Sequence, residues 1–522
     1  MAKSPRAFLV TSDPMSVRVR YAPSPTGSPH VGNIRTALFD SLFARHHGGV
    51  NILRIEDTDQ ARYVPGCEEE IEESLRWMGI EWQEGPDVGG PFAPYRQSER
   101  KALGIYDTWV EKLLSDGGAY WAFDTPEELA EMREYQTINK QPIGYYGGVW
   151  RDASSEASDA ARAAGKPGVI RLRVPRNRTI VCQDAIRGRI EFDSNTVDDP
   201  VLIKGDGMPT YHFAAMVDDH LMEITHIIRG EEWISSVPKH SWLFESLGWE
   251  APVFVHVPVI KGKDGSKLSK RHGDTALLDF RAAGYLPEAV ANFIALIGWS
   301  PGGDRELLTQ DELAEAFELS GLQPSPGIFD LEKLRWMNGH YIRQLTPDAM
   351  FQRVKGYVCS EVAAEYWNHP ERSAEPARSA LPLLAKALVD EPMYAAETLK
   401  LEQERVLTLA DFGPAAEFFL VELPAMDGAA VAKWFGQPHV SALFDRLLEA
   451  LSSRSVISVE DSEAMVRTVA HDLGLEKLGP AVHPIRVALT GKTTGPGLFE
   501  LMSVLGPERM VKRLTRARSL IP

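Results

Sequence analysis

Residues 21–33 read YAPSPTGSPHVGN, three prolines, two glycines and one histidine in a row of thirteen, and what flanks them decides the fold. On the amino side Val17, Val19 and Tyr21 alternate with Arg18 and Arg20, the period of two of a short strand. Pro23 and Pro25 end it. On the carboxyl side Ile34, Ala37, Leu38 and Leu42 recur at helical spacing, predicting a helix from Asn33 to about Arg45 that HHGG closes. VNILRIED, Val50 to Asp57, is a second strand rich in branched residues. Strand, loop, helix and strand make a parallel unit with a right-handed crossover, and ligands of such sheets collect outside the carboxyl ends of the strands. Arg20 and Glu56 fall at those ends, with His30 just before the helix. Free N–H groups and the helix dipole there favour a phosphate, which Gly27 and Gly32 would admit close to the main chain. Neither familiar phosphate-loop spacing occurs at this corner, and GKT at Gly491 to Thr493 lacks the earlier glycine and a preceding strand. An ordinary turn with a surface histidine fits the same letters, so the corner alone leaves both readings open.

Composition narrows the class. A chain of 522 residues predicts about three or four packed units. No apolar run is long enough to span a bilayer, and Met1 to Pro14 lacks the apolar centre of a secretory signal, so a cytoplasmic protein without a membrane partner is expected. That leader also precedes Met15, where the functional chain is open to beginning. Cys67, Cys182 and Cys359 lie far apart with no second ligand at zinc spacing, so neither a disulfide framework nor zinc or another metal site is indicated. The formal net charge of −17 describes the average surface, with which a local basic track can coexist.

After the strand-like FVHVPVI comes KGKDGSKLSKRHGD, Lys261 to Asp274, a cationic loop suited to charge developing on phosphorus and pyrophosphate. By itself it is as well read as a solvated basic loop. Together, PHVGN (Pro29 to Asn33) and KLSKR (Lys267 to Arg271) resemble the HIGH and KMSKS signatures of class I aminoacyl-tRNA synthetases. RYAPSPTGSPHVGNIRTALF, NILRIEDTD, PYRQSER, PTYHFAAMVDDH, IIRGEEW and FDLEKLRWMNGHYI resemble, in order, successive blocks of the bacterial glutamyl-tRNA synthetase family.

The resemblance implies glutamyl-adenylate formation from glutamate and ATP, with magnesium expected alongside ATP, then transfer to the terminal adenosine of tRNA. It implies that Gly27, His30, Gly32, Asn33, Lys267, Ser269 and Lys270 bind ATP, with His30, Lys267 and Lys270 catalytic. Asn33 departs from the general signature, which carries a second histidine there, and shifts weight to His30. For glutamate it implies Arg20 and Arg229 on the γ-carboxylate, helped by Tyr211, with Ala22 lining the site, Ser24 at the substrate backbone and Glu56 on the ammonium. Arginine supplies the fixed bidentate cation a carboxylate wants; the plainer reading of each arginine is an ion pair with Glu231 or Asp57. Ala215 departs from members with a polar residue there and puts a third polar contact in doubt.

The implied fold class is α/β, a Rossmann-like parallel-sheet catalytic domain with an inserted acceptor-binding domain, then a helical stem-contact region and an all-α anticodon-binding domain. The boundaries expected are 16–96 and 207–256 for the two catalytic halves, 97–206 for the insertion, 257–345 for the stem-contact region and 346–522 for the helical part, with a split near 422. Within the insertion TPEELAEMREYQ reads as helix, ASSEASDAARAAGKPG as a small-residue loop and IRLRVPRNR as a strand. Arg171 and Arg173, with Arg176 and Arg178, make a phosphate track beside Tyr145 and Trp150 or else an ordinary solvent face. Arg405 in ERVLTL matches the position of an anticodon-reading arginine, and Lys512, Arg513, Arg516 and Arg518 read as a basic helix face toward tRNA. Glutamate tRNA is the expected partner of a monomer, with glutamine tRNA left open. A shortened relative that glutamylates a tRNA base would lack the C-terminal half and the complete second signature. A glutaminyl enzyme would end in β-barrels. A silent RNA-binding paralogue would not need the intact His30, Lys270, Arg20, Arg229 and Glu56, and a small-molecule nucleotidyltransferase would be far shorter.

Overall fold

A computed structural model describes residues 16–268, 276–372 and 375–521. Strand β1 (Arg18–Tyr21) and β2 (Val50–Leu53) pair in parallel, Arg18 opposite Val50 and Tyr21 opposite Leu53, joined by α1 (Val31–His46). The helix is buried on most sides, through Ile34, Ala37, Leu38, Phe39, Leu42 and Phe43, which suits a crossover helix enclosed by its own domain. Gly48, at φ +60, turns the chain after it. Regular pairing stops at Leu53, short of the expected Asp57. The segment stays extended all the same: Arg54 and Glu56 N–H donate to the carbonyls of Tyr21 and Pro23, while Leu53 and Ile55 donate to those of Glu84 and Tyr95. Glu56 is thus fixed just past the strand by main-chain bonds on both sides.

Residues 97–206 contribute β3 (Ala119–Ala122), β4 (Val169–Leu172), β5 (Thr179–Asp184), β6 (Gly188–Asp193) and β7 (Val201–Ile203). Strands β3, β4 and β7 form a separate antiparallel sheet. The helix Pro126–Ile138 packs beside it and starts with a capping box between Thr125 and Glu128. The stretch expected as a small-residue loop is instead the helix Ser155–Ala163, because Ser154 caps it through the Ala157 N–H, alanines favour it and Gly165 at φ +70 follows its end.

The second half of the nucleotide sheet is β8 (His226–Gly230) and β9 (Val253–Val257), parallel from His226 opposite Val253 to Gly230 opposite Val257, with the helix Val237–Leu247 between them. The β5–β6 hairpin extends this sheet through Asp184 opposite Phe254, giving the order β6-β5-β9-β8. Thr225 joins the halves: its N–H donates to the Arg18 carbonyl at 2.9 Å and its hydroxyl accepts from the Arg18 N–H at 2.9 Å. Strand β1 therefore lies beside β8, which sets Arg20 and Arg229 near neighbouring strand ends.

The chain divides into two compact units, Met1–Leu277 with Ala291–Asp330, and Leu278–Val290 with Leu331–Pro522. Within the second, the elements described from Leu331 to Ser519 are all helical. They bury one core running from Leu286 to Phe412 and another from Phe418 to Ala517. Arg513, expected on a basic face, is fully buried instead, its guanidinium donating to the carbonyls of Glu422, Val421 and Leu489. It is a tether between helix ends. Arg513→Met is expected to destabilise this unit by about 2–4 kcal/mol, since three buried carbonyls lose their donor. Urea unfolding followed at the helix band measures this, and the Kd for tRNA should stay within about twofold.

Candidate active site

The phosphate corner closes around His30, which caps α1 with extended backbone, its Nδ1 accepting from the Gly32 N–H at 3.1 Å. That bond fixes the tautomer of a neutral imidazole, leaving Nε2 as the donor toward a ligand. Burial, and then the charge of Lys267, push the His30 pKa down, favouring this neutral form. A Cβ at Gly32 would sit 3.1 Å from the His30 ring. The glycine thus leaves room for the histidine ring. Gly27, at φ +156, has open space around it, and its carbonyl accepts from the Cys67 thiol at 3.1 Å, which anchors the loop from below.

The basic segment returns to this corner. Gly262 N–H donates to the Ser266 carbonyl and Leu268 N–H to that of Ile260, a tight hairpin bearing Lys267. Past the loop, Ala276 bridges His30 and Leu277 N–H donates to the Pro29 carbonyl. His30 and Lys267 are thereby brought together from opposite ends of the catalytic unit. Ser269 and Lys270 lie outside the described residues, as do Met1 to Pro14.

Beside the corner is a buried charge cluster. Arg20, 4% exposed, meets Asp219 with two nitrogens, Nε to Oδ1 at 2.9 Å and Nη2 to Oδ2 at 3.3 Å. Arg54 bridges Asp219 at 2.8 Å and Glu56 at 3.0 Å. The ion-pair partner of Arg20 is therefore Asp219; Glu231 instead pairs with Arg187, and Asp57 accepts from the Ser98 N–H. Burial opposes ionisation of Asp219, but Arg20 and Arg54 outweigh it and hold its carboxyl below the usual range. Burial pushes the Glu56 pKa up to about 7 against the pull of the same two arginines. Asp40, also buried, is driven well above the usual range, by burial first and against the pull of Arg20. Arg20 and Arg54 thus share the carboxylate of Asp219, and among the described residues Glu56 pairs with Arg54 alone.

Arg229, 5% exposed, donates through Nε to His256 Nε2 at 3.0 Å and through Nη1 to His240 Nδ1 at 3.1 Å. Its Nη2 is buried with no hydrogen-bond partner among the described residues. Leaving such a donor unmet costs about 1–3 kcal/mol, which a ligand acceptor would recover. The Tyr211 phenol lies against the same guanidinium, its ring 4.5 Å from that of Trp233. Ala22 is half-buried, while Ser24 and Asn33 are exposed at the mouth. Ala215 sits in the core and offers the site nothing polar. Sequence reasoning passed over Arg54, Asp219, His240 and His256, although Arg54 and Glu56 sit in one strand-like block and Asp219 in VDDH.

The expected RNA contacts fare unevenly. Arg171 is not on a solvent track: it is buried, stacked 3.8 Å from the Tyr145 ring centroid and bonded to the Asp199 carbonyl, where it lines a cavity of about 350 Å³ with Thr210, His212 and Lys239. Arg173 is partly exposed and pairs with Asp152. Arg405 is exposed and pairs with buried Glu402 at 3.1 Å. Lys512 pairs with Glu422 and Glu508, and Arg516 donates to the Pro424 carbonyl.

A helix headed by His30, met by a lysine-bearing hairpin and flanked by buried arginines, with a helical unit following, is the arrangement expected of a class I aminoacyl-tRNA synthetase. The family model for the catalytic domain of class I tRNA synthetases (E and Q) matches residues 16–336, and that for an anticodon-binding domain matches 373–518. The chain is 43% identical over 504 residues to the glutamate–tRNA ligase of Desulforudis audaxviator, covering 96% of each, and 44% identical over 506 residues to that of Chloroflexus aurantiacus, covering 96% and 97%. A crystal structure of a glutamate tRNA ligase from Elizabethkingia meningosepticum in complex with its amino acid superposes with a TM-score of 0.87 at 37% identity, covering 97% of this chain and 100% of that one. The chain belongs to the bacterial glutamyl-tRNA synthetase family.

Proposed function

We propose that this chain joins L-glutamate to glutamate tRNA in two steps. The substrate α-carboxylate attacks the α-phosphorus of ATP, expelling pyrophosphate, and a ribose hydroxyl of the terminal adenosine then takes the glutamyl group, releasing AMP. The observation that carries the amino-acid side is Arg229 Nη2, a buried cationic donor without a partner among the described residues. A γ-carboxylate supplies the missing acceptor; the neutral amide of glutamine cannot satisfy the cations as well. Arg20, held by Asp219, serves as the second cation, and Tyr211 donates beside it. Glu56 accepts from the ammonium, and Ala22 and Ser24 line the substrate backbone.

For ATP, the neutral His30 donates from Nε2 to the phosphates at the head of α1, with Gly27, Gly32 and Asn33 shaping the loop. Lys267 and, by resemblance, Ser269 and Lys270 neutralise the charge that develops in the transition state. Magnesium enters with ATP as the counter-ion of its phosphates, and no zinc is part of this reading. ATP–pyrophosphate exchange in the presence of tRNA tests the proposal. Exchange is expected with glutamate and at least about a hundredfold less with glutamine; equal exchange with both would overturn the carboxylate pocket.

Residues 97–206 hold the acceptor end in this reading, 257–345 lie against the stem and 346–522 read the anticodon, with Arg405 at an anticodon base. Arg173, Lys512 and Arg516 supply phosphate contacts, while Arg171 supports the cavity wall rather than a phosphate. The chain acts as a cytoplasmic monomer. Among the described residues no helix is long and apolar enough to cross a membrane. The Kd for tRNA is expected to weaken about tenfold or more between 50 and 200 mM salt, as counterion release from phosphates requires; a salt-independent Kd would remove the phosphate contacts. Charging of glutamine tRNA alongside glutamate tRNA, read with the two purified tRNAs, decides whether both are substrates.

A further inference from the structure

Behind Arg229 runs an unbroken line of hydrogen-bonded polar groups, buried as far as the half-buried His212 at its end. Asp184 Oδ2 meets His256 Nδ1 at 2.6 Å, His256 Nε2 receives Arg229 Nε, Arg229 Nη1 meets His240 Nδ1, and His240 Nε2 meets His212 Nδ1 at 3.0 Å. His240, His256 and Asp184 come from the helix Val237–Leu247, β9 and β5, so three elements converge on one guanidinium. Both of the nearer histidines are fully buried.

An arginine only donates, so His256 Nε2 and His240 Nδ1 must both be acceptors. That assigns the protons: His256 carries its proton on Nδ1 and donates a hydrogen bond from it to Asp184, and His240 carries its proton on Nε2 and donates from it to His212. Each ring has one tautomer compatible with its neighbours. Asp184 is immobilised in turn, Oδ1 accepting from the N–H of Ile186 at 2.9 Å and of Arg187 at 2.8 Å, Oδ2 from the His256 N–H at 3.1 Å. Burial, with Arg229 adding to it, holds both histidines below their ordinary pKa, which keeps the acceptor lone pairs available.

We propose that His256 and His240, with Asp184 fixing the tautomer of the first, are positioning residues for Arg229: they occupy its Nε and Nη1 and so aim Nη2 at the substrate side chain. Carboxylate recognition depends on the orientation of the guanidinium fork, not on its charge alone. Leucine at either histidine position fills the volume but leaves a buried Arg229 donor unmet, and the guanidinium turns toward another acceptor. Glutamine at 256 and asparagine at 240 each restore an oxygen near the lost ring nitrogen.

This proposal rests on the glutamate site described above, and the experiment separates the two. In tRNA-supported pyrophosphate exchange with the full chain, His256→Leu and His240→Leu are expected to raise the KM for glutamate about tenfold or more, with the KM for ATP within about twofold. His256→Gln and His240→Asn are expected to return it to within about threefold of the parent. With Arg229→Gln raising the glutamate KM as a reference, unchanged leucine variants would overturn the positioning role. So would equal effects from the leucine and amide variants, or a parallel rise in the ATP KM, since packing alone predicts those. If the leucine variants fail to fold, the amide variants decide, and a tenfold rise in them overturns the proposal. An unchanged KM in Arg229→Gln would overturn the site reading itself and this proposal with it.

Discussion

Arg229→Gln is expected to raise the KM for glutamate by about two orders of magnitude. Truncating one partner of a buried charge pair, such as the one proposed between this guanidinium and the γ-carboxylate, costs about 3 kcal/mol. The side chain is held by two histidines, with Nη2 left over. Rejection of glutamine should fall in the same variant, because glutamine at position 229 can share hydrogen bonds with a substrate amide, whereas a guanidinium leaves donors unpaired against it. The KM for ATP should change little. Steady-state exchange with the two amino acids checks both parts, and little change in either KM or selectivity would refute the assignment.

His30→Ala is expected to lower tRNA-supported ATP–pyrophosphate exchange by about a hundredfold to a thousandfold, the range for loss of one oriented donor to a developing oxyanion. It also removes the cap that satisfies the Gly32 N–H, a smaller cost of about 1 kcal/mol in helix stability. The Kd for tRNA should be unaffected, because His30 faces the nucleotide corner. The direction of its pKa adds a sign. With the value lowered by burial and Lys267, the neutral donor persists below the ordinary histidine pKa, so exchange should hold through neutral pH. It should fall only in acid, where a proton on Nδ1 would break the cap. Exchange unchanged in His30→Ala would contradict the phosphate role.

The strand, corner and helix from Val17 to Arg45 were legible because each is set by local patterning: alternation, prolines and helical spacing over a few residues. Arg20, Glu56 and Arg229 were legible as strand-end residues on the same grounds. Their partners were not. Asp219 reaches Arg20 and Arg54, and His240 and His256 reach Arg229, only because β1 settles beside β8 and the helix after β8 folds back, choices made by tertiary packing. The same limit misplaced Arg171 and Arg513. An arginine reads as surface from its letter alone, yet both are buried where carbonyls and an aromatic ring meet the guanidinium. The alanine-rich stretch at residues 155–163 misled in the opposite sense: its small residues suggested a loop, while a serine cap and high helix propensity made a helix.

At the corner of residues 21–33, His30 caps the helix and is the donor proposed for the ATP phosphates, with Gly32 beside its ring, while the carboxylate pocket is proposed at Arg229 and Arg20.

Aminoacylation of purified glutamate tRNA by the full chain, with ATP and labelled glutamate, tests this account most directly. It predicts glutamyl-tRNA with release of pyrophosphate and AMP, and no comparable product from labelled glutamine. Charging of neither glutamate tRNA nor glutamine tRNA with glutamate would contradict it.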